Sequence, residues 1–168
     1  GASPEQLVLL DGREVQTVAL AGTTARGRDA ATDEALGAEM MASAKVREEH
    51  QFVVAGITQR LATLGLVGHT PEEPEVLRLA RVQHLCTSIT ARVERRRGGV
   101  SDMDVLRVAS VLHPTPAVAG TPTQDALDWL HDNEELDRGW YAAPVGWCDL
   151  DGNGELRVAL RSALVDSD

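Results

Sequence analysis

The stretch KVREEHQFVV, residues 45–54, places two glutamates and a histidine inside a segment with helical apolar spacing. Val46, Val53, Ile57, Leu61 and Leu64 recur at steps of three or four after the first. At roughly 100° per residue, Glu49 falls about 60° from Val46 and about 40° from Val53. A carboxylate on a face the chain would bury has three readings. It pairs with Arg47 or His50, or the face is rotated slightly outward, or it holds a hard cation. Mg²⁺ suits the last case, because it takes one or two protein carboxylates and completes its shell with substrate and water.

Three further stretches have residue types that could do chemistry. In DLDGNGEL, Asp149, Asp151, Asn153 and Gly154 fit the early positions of a calcium-binding loop, but Leu160 stands where the closing glutamate belongs, so a hairpin turn is expected. AGTTARG (21–27) could cradle an anion on its backbone amides; it lacks the lysine and spacing of a P-loop, and a glycine turn after a strand fits it too. Arg161 lies between Ala159 and Ala163 on one face of an expected strand, which leaves room around its guanidinium for a small carboxylate. A solvent-facing arginine is the alternative.

The elements that would position these residues can be read from periodicity and turn chemistry. LVLL (7–10), the turn at 11–12 and EVQTVALAG (14–22) predict a hairpin, with a loop after it over 23–32. A helical pattern runs from 33 to 65, and HTPEEPE (69–75) predicts a linker. Residues 81–93 alternate as a strand, with Gln83, Leu85, Thr87 and Ile89 on one face and Val82, His84 and Cys86 on the other. Ser101 is expected to cap a helix over 102–112. HPTPAVAGTP (113–122) cannot be helical, since each proline bars its predecessor from the α region. Thr121–Gln124 reads as a capping box opening the helix DALDWLHDNEEL, and PVGWCDL, DGNG and ELRVALRSALV predict a second hairpin. Hairpins at both ends with helices between them give an α+β class.

Composition narrows the partners. The 168 residues carry a formal charge of −10 and no long basic run, which disfavours nucleic acid and anionic membranes. The one basic cluster, ARVERRRGG (91–99), is expected to be a solvated loop edge. Aromatics are 3% of the chain, so its core should be aliphatic. Cys86 and Cys148 form no CxxC pair, and no apolar run approaches the roughly 18 residues of a bilayer span. A cytoplasmic setting is expected.

GASPEQLV, LAGT, SAKVREEHQFVV, VQHL, LHPTPAVAGTP, DRGWYAAPVGW and DGNGELRVALRSA occur in an order that resembles the chorismate-utilising enzymes, above all their isochorismate synthase branch. The resemblance covers nearly all of residues 1–168. It implies the family's chorismate-binding α+β fold, with stacked, mainly antiparallel sheets flanked by helices, only partly present here. It also implies Mg²⁺-dependent conversion of chorismate to isochorismate, in which water adds at one ring carbon and the allylic hydroxyl departs.

Carried over residue by residue, the resemblance makes Glu5 of the SPE motif the general acid and Glu49 a magnesium ligand. Gly22, Thr23 and His84 would contact substrate, Ala117, Val118 and Tyr141 would form pocket walls, and Arg161 would bind a substrate carboxylate. The family's lysine base, its second metal-binding glutamate and a glycine-rich loop have no match, and Lys45 does not correspond to the base. The chain is therefore expected to be the middle portion of one catalytic domain, cut at both ends and inactive alone. The resemblance leaves open siderophore or quinone synthesis downstream. A salicylate synthase, an anthranilate- or aminodeoxychorismate-type synthase and a non-catalytic fragment are the rival readings.

Overall fold

The computed structural model describes Ser3, residues 5–94 and residues 103–163. Residues 95–99 of the basic cluster, and Ser101, lie outside the described residues. The chain divides into two compact units, Gly1–Thr17 with Arg92–Asp168, and Val18–Ala91.

In the first unit, β1 (Gln6–Asp11) turns at Gly12 into β2 (Glu14–Ala25), with Leu10 opposite Val15 and Asp11 opposite Glu14. Gly12 sits at φ 58°, the left-handed geometry such a turn favours. β5 (Pro144–Cys148) and β6 (Gly154–Val158) form the second hairpin, and β6 pairs antiparallel with β1. The strand order in this unit is therefore β2–β1–β6–β5. The β5–β6 turn is closed by Asp149, whose carboxylate accepts from the Asp151 and Asn153 amides, both at 2.9 Å. The hairpin reading of DLDGNG thus holds.

α3 (Val105–Leu112) lays Val105, Val108, Ala109 and Leu112 on this sheet, where they meet Val8, Leu10, Leu156 and Val158 as buried residues. Spacing of three and four residues puts those side chains on one face. Asp104, and not Ser101, caps this helix: it is extended and its carboxylate accepts from the Arg107 amide at 2.7 Å. α4 (Thr123–Asn133) buries none of its residues. The expected capping box does not form, because Pro122 at ψ 144° is still extended and stands as N-cap itself. Trp129, Trp140 and Trp147 are all exposed, and among the described residues the buried core contains no Phe, Trp or Tyr.

The second unit contains the rest of β2, two helices and a β3–β4 hairpin, with strand order β3–β4–β2. β2 continues through Ala25, so Thr23–Ala25 are strand and not loop. The long helix expected over 33–65 is two: α1 (Ala30–Ala42) and α2 (Ala44–Thr63). Ser43 at ψ 110° breaks it, and its hydroxyl caps α2 by accepting from the Val46 amide. β3 (Glu75–Arg78) has no periodic signal of its own and exists as the partner of β4 (Val82–Arg92). On β4, residues 83–87 are buried on both faces.

One ion-pair cluster ties α1 to the chain on either side of it. Arg26 donates through Nε and Nη2 to the two Asp33 carboxylate oxygens at 2.7 and 2.8 Å, and the Gly27 amide adds a third bond at 2.8 Å. Arg78 Nε lies 3.4 Å away on the other side. These donors, the Arg26 fork first, hold the Asp33 carboxyl at about 2. Because the folded value lies below the unfolded one (about 3.9), the stabilisation is present above about pH 4 and is lost as pH falls towards 2. Asp33→Asn should therefore lower the thermal midpoint at pH 7, and the gap to wild type should narrow steadily between pH 4 and pH 2. Thermal unfolding across that range checks it; a gap independent of pH would remove the ion pair from the account.

Candidate active site

Within the first unit, Glu5 stands at the head of β1. Its carbonyl accepts from the Val158 amide at 3.1 Å, so the backbone is fixed to β6. The carboxyl is half-buried. Burial raises its pKa above the usual carboxylate range, and a bond from the Thr115 hydroxyl to Oε1 at 3.4 Å works against that shift. Thr115, 7% exposed, also starts a turn: its carbonyl accepts from the Val118 and Ala119 amides at 3.0 and 3.1 Å. Ala117 lies exposed on this turn, beside half-buried Val118. The turn is tied at its other end, where Arg138 Nη1 donates to the Val118 carbonyl at 3.4 Å.

Tyr141 is exposed, and its amide donates to the Arg138 carbonyl at 2.7 Å. His113 shares a hydrogen bond with the Ala142 carbonyl at 2.9 Å through Nε2, so LHPTPAV and DRGWYAA are bonded together. The structure therefore brings Glu5 and the 115–119 turn into contact, and that turn and Tyr141 onto one arginine. No sequence pattern singles out Thr115, His113 and Arg138, which do this; each lies inside a family-like motif, but only the fold gives it a partner.

Arg161 differs from expectation. β6 ends at Val158, so Arg161 does not alternate with alanines on a strand. Beyond Val158 one more pair keeps the β5–β6 register, the Ala159 amide donating to the Ala143 carbonyl at 2.9 Å and the Ala142 amide to the Ala159 carbonyl at 2.8 Å, and the Leu160 amide then closes a tight turn onto Val158. Arg161 comes next but one after Ala159 at φ 48°, exposed, with no hydrogen-bond or ion-pair partner among the described residues.

In the second unit, Thr23 Oγ1 lies 2.9 Å from Nδ1 of His84, which is 9% exposed on the β4 face opposite Gln83 and Thr87. Gly22 precedes Thr23 at φ 77°, packed so closely on α2 that a Cβ there would overlap Val46. Only glycine meets both conditions.

Glu49 is not on the buried face of α2. Its side chain is 56% exposed and its ion pair with Lys45 spans 3.8 Å. The buried face holds His50, Ile57 and Leu61. Measured from Ile57 and Leu61, His50 is offset by only about 20° and Glu49 by about 80–120°, so the histidine and not the carboxylate belongs to the stripe. His50 is 2% exposed and bonds through Nε2 to the Thr87 hydroxyl at 2.7 Å. Burial pushes its pKa below the usual imidazole range and favours the neutral ring. Among the described residues no group of three or more His, Cys, Asp or Glu side chains could hold a metal, and no helix is long and apolar enough to cross a membrane.

Comparison with known proteins supplies the family. The family described as chorismate binding enzyme matches residues 1–168. The chain is similar to the salicylate biosynthesis isochorismate synthase of Pseudomonas aeruginosa, 52% identical over 165 residues that cover 98% of this chain and 33% of that protein. It is also similar to the solved structure of the menaquinone-specific isochorismate synthase of Escherichia coli, with a TM-score of 0.79 and 34% identity, covering 96% of this chain and 36% of that one. An anthranilate synthase component I from Streptococcus pneumoniae shares the fold at a TM-score of 0.74 and 24% identity. The chain spans about a third of the length of the curated isochorismate synthase of Pseudomonas aeruginosa.

The raised pKa of Glu5 has a consequence for stability that does not depend on activity. A carboxyl whose folded pKa is raised is harder to ionise in the fold than in the unfolded chain, so its penalty is absent below the unfolded value, grows as pH rises from the unfolded to the folded value, and is constant above that. Glu5→Gln, which cannot ionise, should leave the thermal midpoint unchanged or higher at pH 7, and the difference should vanish below about pH 4. A midpoint that falls at pH 7 would mean that the charged carboxylate is held by favourable bonds.

Proposed function

We propose, starting from the fact that the chain belongs to the chorismate binding enzymes, that it carries the acid, substrate contacts and one metal ligand of an isochorismate synthase. Glu5 carries this reading. It is a half-buried carboxyl with a raised hold on its proton, fixed by its backbone to β6 and met by the Thr115 hydroxyl. A general acid must keep its proton near working pH until the leaving group needs it.

In the proposed reaction, the Glu5 proton goes to the allylic hydroxyl of chorismate, which departs as water. A second water adds at another ring carbon and gives up its own proton to a base not assigned among these residues. The sum is an isomerisation, with no net gain or loss of atoms. The Thr23 hydroxyl and the His84 ring, held to each other, form a polar pair for a substrate oxygen, with Gly22 next to Thr23 in the chain. Ala117, Val118 and Tyr141 serve as walls for the carbon frame. The exposed Arg161 guanidinium is available to pair with a substrate carboxylate.

In this reading Mg²⁺ would take a single carboxylate from this chain, that of Glu49. Glu49 is exposed and, among the described residues, its one ion pair is a long surface contact with Lys45, so its oxygens are available to an ion whose other ligands come from elsewhere. When bound, the ion would supply positive charge to a substrate carboxylate.

The test is made in the intact protein, incubated with chorismate and Mg²⁺, with products separated chromatographically. Isochorismate is the expected product; salicylate or an amino product would replace this reading with one of its rivals. Glu5→Gln should lower kcat by about 10²–10⁴ with chorismate still bound. Glu49→Gln should raise the Mg²⁺ concentration needed for half-maximal turnover. Unchanged magnesium dependence would return Glu49 to a surface role.

A further inference from the structure

Arg138 lies five residues beyond α4, in the segment NEELDRGWY, and its side chain is only 30% exposed. Its Nε and Nη2 edge is taken by Glu134, with bonds of 2.8, 3.0 and 2.6 Å to the two carboxylate oxygens. Although the two residues are four apart, Glu134 is the C-cap of α4 and the chain between them is not helical. The pair therefore closes a loop and is not a decoration of a helix surface. This leaves Nη1 free to donate to the Val118 carbonyl at 3.4 Å, while the arginine's own carbonyl accepts from the Tyr141 amide at 2.7 Å.

We infer that Arg138 is a positioning residue: one guanidinium, oriented by Glu134, fixes the 115–119 turn against the 138–142 turn so that Val118 and Tyr141 are presented together to substrate. The inference rests on the reading of those two residues as pocket walls. The chemistry requires arginine. A planar fork can bond a carboxylate along one edge and a carbonyl with its remaining nitrogen, whereas a lysine ammonium is a point charge on a flexible stem and cannot hold both partners in fixed geometry. Neither Val118 nor Tyr141 is held by deep burial, since Val118 is half-buried and Tyr141 exposed. Their placement depends on a few bonds, the Arg138 contacts and the His113 bond to the Ala142 carbonyl among them.

Two measurements on the intact protein test it, amide hydrogen exchange and steady-state kinetics with chorismate, on Arg138→Lys, Arg138→Ala and Glu134→Gln. In Arg138→Lys the Val118 and Ala119 amides should exchange about tenfold faster or more, while the His113 amide at the end of α3 keeps its wild-type rate. KM for chorismate should rise about tenfold with kcat within about threefold of wild type, the split expected of a displaced wall. Arg138→Ala should exceed both effects, and Glu134→Gln should fall between. Arg138→Lys keeps the charge and decides the matter if Arg138→Ala does not fold. Unchanged exchange at Val118 and Ala119 would overturn the inference. Faster exchange with unchanged KM would leave the brace standing and remove Val118 and Tyr141 from the substrate reading. If the wild-type protein does not bind chorismate, the functional reading fails and the exchange rates alone decide the brace.

Discussion

A hydrogen-bonding group taken out of water must find a partner inside the protein, at a cost of roughly 1–3 kcal/mol for each one that does not. Both units are arranged around that constraint. On β4, three polar side chains are buried, and different elements answer them. Gln83 donates through Nε2 to the Ala25 and Asp33 carbonyls, although its Oε1 is buried without a hydrogen bond, His84 meets Thr23, and Thr87 meets His50. The seat of α1 and α2 on the sheet is thus fixed by directional bonds as well as by apolar packing, and an error in strand register would orphan all three at once. In the other unit, 113–119 has no ladder to belong to, because its prolines exclude regular structure. Side chains do the fixing instead: His113 to the Ala142 carbonyl, Thr115 to Glu5, and Arg138 to the Val118 carbonyl.

What could be read from the sequence, and what could not, divides along the same line. Period-two alternation, turn dipeptides and the steps of three and four are local, and they give both hairpins, the apolar face of α3 and the strand at β4. The aliphatic core comes from composition alone. The failures are places where a partner decides. β3 is four residues long and becomes a strand only beside β4. β6 carries an alternating pattern past Val158, but the chain turns at Leu160, and Arg161 at φ 48° leaves the sheet. Glu49 and His50 are adjacent, and a helical wheel centred on Val46 and Val53 selects the glutamate, while the residues that end up buried, Ile57 and Leu61, select the histidine. The break at Ser43 is signalled by a single capping side chain, too little to interrupt a pattern that runs on through both helices.

The candidate site shows the same division. Glu5, Thr23 and His84 are named by the motifs that contain them, yet the sequence does not say what holds them. Thr115 and Arg138 become visible only when the turn at 115–119 is seen to begin on one and end on the other. Residues of this kind lie in irregular segments, where conformation is set by a few specific bonds and no periodicity points to them.

The exposed tryptophans make the two units optically different. Trp129, Trp140 and Trp147 all lie in the unit formed by Gly1–Thr17 and Arg92–Asp168, as does Tyr141, whereas Val18–Ala91 contains neither tryptophan nor tyrosine. Tryptophan and tyrosine absorbance and fluorescence therefore report on one unit and are silent about the other. With the indoles already in water, unfolding moves their emission little. What the light registers instead is anything that covers Trp140 or Trp147, on either side of Tyr141.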